Sequence, residues 1–454
     1  MPDCGNRIAL VQANRIDFLD AWLVIANNVI ESFNGVMLSL LIVLWLTLDF
    51  LPATNLDPPA TISLYLALVG LVVLVVFARS GQIADRFAPH KVAELSQYLN
   101  IASMGLFIAV LVFASPRFPL LVLVFMAFLQ LVFTNRDILF DSAVMVIINT
   151  RVPEEKQPSF FTWNFRANLV VPLTAPIVAT WLFERDKNLA IGVCAVLSLV
   201  SAALLGWTRR RFVPEGAFGD KPDISLRAYV REFTRKVEKK EKEFRGFKAF
   251  RHLNFAGIIL FIMAAEALGN RSREAYDVFY VTQTFGQPAT SYGLISVFMF
   301  IGTVCGTVMK SVIASRWKQW WWPVAFYILF ALSFLSRGLA PNVWFFFLAG
   351  AVNGFAVGLF GGVFEVSWVS NTKKEYLGAV SAAKSAYFTI VSTGGYLIWA
   401  AFAWWGNSVG PTFMADYGYR IACIIGGGFI FVAAVSSIRL YRNVDWTGEA
   451  EPAS

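Results

Sequence analysis

The feature that most constrains this chain is a set of about twelve apolar runs, each near the roughly 20 residues needed to cross a bilayer as a helix. They fall at 21–48, 59–79, 93–114, 118–148, 160–183, 188–207, 253–282, 288–312, 320–337, 342–369, 376–405 and 417–440. Lipid satisfies no backbone polar group, so a spanning segment must be a helix or part of a closed barrel. These runs are too long and too evenly apolar for barrel strands, which alternate over about ten residues. Composition agrees: 57% of residues are hydrophobic and 15% charged, against about 45–50% and about 25% in a soluble domain. The prediction is an all-α polytopic membrane protein with 12 transmembrane helices. The first 20 residues, MPDCGNRIALVQANRIDFLD, are polar and show no cleavable signal pattern, so the first run is expected to remain as a span.

Charge predicts orientation. Lys and Arg favour the cytoplasmic side of short loops. With alternating spans and the N-terminus inside, 29 of the 38 Lys and Arg lie on the cytoplasmic side, 5 outside (Arg117, Arg185, Lys187, Arg337 and Arg420) and 4 within spans. Both termini are therefore expected in the cytoplasm. The runs split six and six, giving an N-terminal bundle over 1–207, a cytoplasmic linker over 208–250, a C-terminal bundle over 251–443 and a tail over 444–454. Residues 208–251 carry 14 Lys or Arg against 7 Asp or Glu, most of the chain's net charge of +8. The basic balance thus points to anionic lipid head groups rather than to nucleic acid. Leu226, Val230, Phe233, Val237 and Phe244 recur there at helical spacing. Two readings stay open: an amphipathic helix on the membrane surface, or a solvated linker.

The halves resemble each other. Pro-Ala-Thr opens the second span of each, at 59–61 and 288–290; IADRF (83–87) is followed by a worn copy, IASRW (313–317); and ESFNG (31–35) faces EALGN (266–270). Three matches in one order at nearly one offset imply parallel six-span repeats, an arrangement that places a transporter's binding site between the halves.

The turn after the second span reads GQIADRFAPHK (81–91). It resembles the loop signature of the major facilitator superfamily, Gly-x-x-x-Asp-Arg/Lys-x-Gly-Arg-Arg/Lys. Gly81, Asp85 and Arg86 match; Ala88 and Pro89 depart from it, and His90 and Lys91 blur the final basic pair. The resemblance implies a gating latch formed by Gly81, Asp85 and Arg86, with Gly81 packing span 2 on span 11 and Asp85 facing the start of that helix. A carboxylate at a helix N-terminus is a favourable pairing. LVFTNRDILFDSA in span 4 resembles the family's Arg-bearing motif, with Arg136 in the Arg position. VPLTAPIVAT (171–180) loosely resembles the Gly-Pro motif of exporting members. The resemblance further implies that spans 1, 4, 7 and 10 line a cavity while 3, 6, 9 and 12 face lipid.

An ionisable residue at the bilayer centre costs on the order of 2.5–3.5 kcal/mol, so it has a function or a partner. The deep charges are Glu31 in span 1; Arg136, Asp137 and Asp141 in span 4; Glu266, Arg271, Arg273, Glu274 and Asp277 in span 7; Glu365 in span 10; and Lys384 in span 11. Spans 3, 6, 9 and 12 hold none. Asn27, Glu31 and Asn34 share one helical face, as do Glu266, Asn270, Arg273/Glu274 and Asp277. All but Asn27 are candidate substrate or proton sites. A carboxylate in a low-dielectric cavity holds a proton more readily, which makes Glu31, Asp137 and Glu266 candidate proton carriers. Gly350, Gly354, Gly358 and Gly362 repeat every four residues, a pattern of close helix packing.

The expected function is a secondary active transporter working by alternating access, coupled to protons and exporting a small organic, charged or amphiphilic solute (drug, siderophore or metabolite). Import by proton symport, lysolipid flipping and a transport-dead sensor are the alternatives. Cys4, Cys194, Cys305 and Cys423 are scattered, and no metal spacing exists. The chain contains no HExxH and no GxxxxGK[ST], so zincin and P-loop chemistry are not expected, and no enzyme is expected. Also expected are no cofactor, a proton gradient as energy source, a monomer, and the cell (inner or plasma) membrane as location.

Overall fold

The computed structural model describes residues 18–151, 160, 164, 167, 168, 170–212, 222–234, 247–253, 256–313, 322–360, 377–410 and 412–442. The described residues fold into α1 (Phe18–Trp45), α2 (Pro58–Arg86), α3 (Pro89–Phe113), α4 (Pro119–Arg151), α5 (Val171–Arg185), α6 (Lys187–Phe212), α7 (Leu226–Thr234), α8 (Ala256–Phe279), α9 (Ala289–Ile313), α10 (Trp322–Gly338), α11 (Val343–Phe360), α12 (Leu377–Val409) and α13 (Tyr419–Arg442). Helices α1–α6 correspond to the first six predicted spans and α8–α13 to the last six. Seven helices among the described residues are long and apolar enough to cross a membrane; the apolar stretches Pro58–Leu74, Val324–Gly338 and Val343–Leu359 are shorter.

Helix starts follow local chemistry. Pro58, Pro89 and Pro119 each open a helix, where the missing N–H costs nothing and the fixed φ suits the first turn. Asp57 Oδ2 accepts the Ala60 N–H at 3.1 Å, Asp186 Oδ1 the Asn188 N–H at 2.8 Å, and Asn342 Oδ1 the Trp344 and Phe345 N–H groups at 3.1 Å. Each is an N-cap that occupies a donor the helix leaves free. After Phe279 the chain makes one π-helical turn and stops at Gly286, whose φ of 61° favours glycine.

The chain divides into two compact units. Unit 1 comprises residues 1–42 and 75–236, and unit 2 comprises 43–74 and 237–454. In unit 1, Ile83, Phe87, Val92, Leu139, Phe140 and Val144 form a core. The linker helix α7 joins it. Tyr229 is buried in that core, the Asn135 amide donates to its hydroxyl, and the Ala88 N–H donates to Pro222 O at 3.1 Å. Burial pushes the Tyr229 phenol up, an effect partly offset by Asn135. The face that packs on this core differs from the apolar stripe, of which Leu226 and Val230 are 60% and 52% exposed. The periodicity of large apolar residues missed that a tyrosine, with an apolar ring and a polar tip, is the anchor. The side chain of Phe233 and the whole of Val237 and Phe244 lie outside the described residues.

In unit 2, α9 and α11 pack at backbone distance. A Cβ on Gly354 or Gly358 would run into the Met299 or Thr303 carbonyl, and one on Gly302 or Gly306 into Ala351 or Phe355. The glycine repeat is thus a packing seam, with Gly362 outside the described residues. Residues 43–45 of α1 and 58–74 of α2 belong to this unit. Gly70 of α2 abuts Thr393 of α12, and the Asp57 carboxylate accepts from Asn407 as well as Ala60.

Candidate functional site

Arg136, in the middle of α4, is buried within unit 1. Its Nη1 lies 2.5 Å from Glu31 Oε2, and its Nη2 lies 2.5 Å from Asp137 Oδ1. Glu31 is buried with it, whereas the Asp137 side chain is 51% exposed. Gly35 of α1 faces the pair, and a Cβ there would meet Arg136 Nη2 at 3.5 Å, an ordinary contact. The other Glu31 oxygen accepts from Gln97 Nε2 at 2.6 Å and from the Ser201 hydroxyl, which also lies 2.8 Å from Asn27 Oδ1. One turn along α1, Asn34 Nδ2 donates to Ser198 Oγ at 2.8 Å. A buried charge survives only when it is paired and hydrogen-bonded, and Glu31 is held by three side chains.

Unit 2 distributes its charges over separate partners. Arg271 and Glu274 of α8 form an ion pair shared with the Tyr396 hydroxyl of α12, and the Arg271 guanidinium lies 5.4 Å from the Phe388 ring centre and 5.3 Å from that of Tyr396. Tyr327 of α10 donates to Glu266 Oε2 at 3.0 Å. Arg273 Nη1 reaches Met299 Sδ of α9 at 3.4 Å. Asp277 Oδ2 accepts from Arg337 Nη1 at 2.9 Å, with both side chains buried. The predicted α8 stripe is therefore split among α9, α10 and α12 rather than gathered at one place. Asn270 Oδ1 is buried without a hydrogen-bond partner, and Lys384 is half-buried on α12.

Several expectations need correction. Spans 3, 6 and 9, which the family pattern makes lipid-facing, also turn polar groups inward, a role that the pattern did not give them: Gln97 of α3 and Ser201 of α6 hold Glu31, and Arg337 of α10 holds Asp277. Arg337 was assigned to an outer loop; it is fully buried in the last turn of α10. Counting only charges missed Gln97, Ser198 and Ser201, although polar residues three apart in apolar runs, such as Gln97 and Asn100, were a readable signal. The signature GQIADRFAPHK is not a turn: Gly81, Asp85 and Arg86 lie in the last turns of α2, Phe87 and Ala88 make the turn, and Pro89 starts α3. Arg86 is exposed. The side chains of Asp85 and Asp141, all of Glu365, and residues 314–317 of the worn copy lie outside the described residues.

No known family model matches the sequence, and no curated protein matches it. Solved structures do. A bacterial homologue of the iron transporter ferroportin, in an inward-facing state, superposes with a TM-score of 0.68 at 15% identity, covering 94% of this chain and 100% of that one. A D-xylose–proton symporter gives 0.65 at 15%, covering 95% and 99%. A bacterial homologue of the human lysosomal transporter Spinster gives 0.62 at 12%, covering 94% and 98%. Likeness at this identity speaks for the fold, and it extends over nearly the whole of each chain. The protein is a multi-pass integral membrane protein with the fold of the major facilitator superfamily transporters.

Proposed function

We propose that this protein is a secondary transporter that moves a small charged or amphiphilic solute by alternating access, with protons as the coupling ion. The observation that carries the reading is the set Glu31–Arg136–Asp137. One buried guanidinium holds two carboxylates, of which one is buried and the other is half open to the surroundings. A solute anion can displace Asp137 from Arg136, while protonation of Glu31 weakens its hold on the same guanidinium. Binding and proton loading are then linked through one side chain, as linkage between sites requires. Export is the favoured direction, on the VPLTAPIVAT segment, where Pro176 sits inside α5. The reading includes a monomer in the cell membrane, driven by the proton gradient without a cofactor.

Purified protein in proteoliposomes tests this. Under pH gradients of either sign, a panel of zwitterionic, anionic and amphiphilic solutes is followed for accumulation. The expected result is gradient-dependent movement of at least one solute, in the antiport sense. Movement in the symport sense would replace export by import. No flux of any solute, with folded protein, would favour the sensor.

A further inference from the structure

Three helices each contribute two polar residues three positions apart: Glu31 and Asn34 on α1, Gln97 and Asn100 on α3, Ser198 and Ser201 on α6. Positions i and i+3 share a helix face, so the six side chains form two layers. In the first, Gln97 and Ser201 both donate to Glu31 Oε1. In the second, Ser198 Oγ lies 2.8 Å from Asn34 Nδ2 and 3.5 Å from Asn100 Oδ1. The next turns of α1, α3 and α6 bring buried Leu38, Met104 and Cys194, so the polar layers give way to apolar groups.

The three amides are only half satisfied. Asn34 Oδ1, Gln97 Oε1 and Asn100 Nδ2 are buried without a hydrogen-bond partner, whereas the other atom of each amide is bonded. An unpaired buried polar atom costs about 1–3 kcal/mol, and three such atoms on adjoining layers call for a ligand that offers two donors and one acceptor. Water fits: buried waters make about three hydrogen bonds in polar pockets.

We propose that Asn34, Gln97 and Asn100 hold a buried water molecule, and that this water lets Gln97 follow the protonation state of Glu31. When Glu31 is a carboxylate, Gln97 must present Nε2 to it, as it does here at 2.6 Å. The water then donates to Gln97 Oε1. When Glu31 is protonated, its O–H can donate to Gln97 Oε1 after the amide turns over, and the water accepts from Nε2 instead. Because water both donates and accepts, Gln97 is satisfied in either orientation. No covalent bond is made or broken beyond the protonation of Glu31. Gln97 and Asn100 are positioning residues for Glu31. This deepens the proton-coupled reading and rests on Glu31 being the proton carrier, but its test needs neither solute nor flux.

The experiment is an infrared pH titration of full-length protein in lipid nanodiscs, with Glu31→Gln used to assign the Glu31 carboxyl band. Asn100→Leu removes the water's donor and fills its place, and it is expected to change the proton affinity of Glu31 by at least about tenfold, one pH unit. Asn100→Ser keeps a donor and an acceptor and is expected to stay near the parent protein. A midpoint unchanged in Asn100→Leu, or the absence of any Glu31-dependent band, would overturn the proposal. If Asn100→Leu fails to fold, a high-resolution structure of the parent protein decides: density for a water within reach of all three atoms supports the switch, and a dry pocket refutes it.

Discussion

Arg136 and Arg337 are both buried guanidinium groups in a membrane fold, and they are used in opposite ways. Arg136 holds two carboxylates, one of which, Asp137, is 51% exposed. Arg337 holds Asp277 alone, and its guanidinium lies against the rings of Phe334 and Phe346, at 5.9 and 5.3 Å. The first pairing has an open side through which a solute or proton can compete. The second is sealed and ties α8 to α10. On the proposed reading, burial of charge does not by itself mark a transport site; a partner that remains reachable does.

The largest expected effect would break the sealed pair. Arg337→Ala leaves Asp277 buried and uncompensated, a loss of about 3–5 kcal/mol, measurable by unfolding in mixed micelles. The double change Asp277→Leu with Arg337→Met is expected to recover most of it, since apolar pairs of similar volume replace buried ion pairs at little cost. Failure of the double variant to recover would show that Arg337 has a role beyond Asp277.

Glu31→Gln addresses the open set. Its amide oxygen can accept on one side only, because Arg136, Gln97 and Ser201 all donate to Glu31; with one bond and the charge lost, and Asp137 still beside Arg136, stability should fall by about 1.5–3 kcal/mol, the worth of a charged hydrogen bond. Unlike the sealed pair, this change should abolish the response to a pH gradient. A stability loss as large as that of Arg337→Ala would erase the distinction between the two sites.

Two glycines on α11 sharpen the comparison next. A Cβ on Gly354 would collide with the Met299 backbone, whereas one on Gly350 meets Arg337 Nη2 and Ile295 at 3.5 Å, ordinary contact. Gly354→Ala should cost about 1–3 kcal/mol as overpacking, and Gly350→Ala much less. Equal losses in thermal denaturation would mean that α9 and α11 can separate.

The smallest effect concerns Asp57, between α1 and α2. Burial pushes its carboxyl above the ordinary value of 3.8, against the lowering bonds from Ala60 and Asn407. For an acid raised on folding, the stabilising contribution is complete below the unfolded value and is lost as pH rises through the folded one. Asp57→Asn keeps the cap without the charge. It should therefore melt slightly higher than the parent protein at pH 7, with the advantage vanishing as pH falls toward 3.8. An advantage that grows on acidification would reverse the sign of the account.

Much of this was readable in the chain. Apolar length gave the helices, and Pro58, Pro89 and Pro119 marked their starts. Glu31, Asn34 and Arg136 were each identifiable as deep polar groups, because a charge in lipid needs a partner. Which partner each one takes was not readable. Arg271 pairs three residues along its own helix with Glu274 and reaches Tyr396 across 125 positions of chain, a match set by how α8 and α12 pack. Arg337 looked like a loop residue because its apolar run ends beside it; only packing shows that the helix end is buried. Gln97 and Ser201 carry no charge and so left no mark in a census of ions. Tyr229 was overlooked because the linker was read for large apolar residues alone.

The most direct test of the central claim compares two assays on Glu31→Gln in proteoliposomes: accumulation of a transported solute under a pH gradient, and solute exchange at equal pH. The account predicts that exchange persists while gradient-driven accumulation is lost. Accumulation equal to that of the parent protein would show that Glu31 does not couple protons to transport.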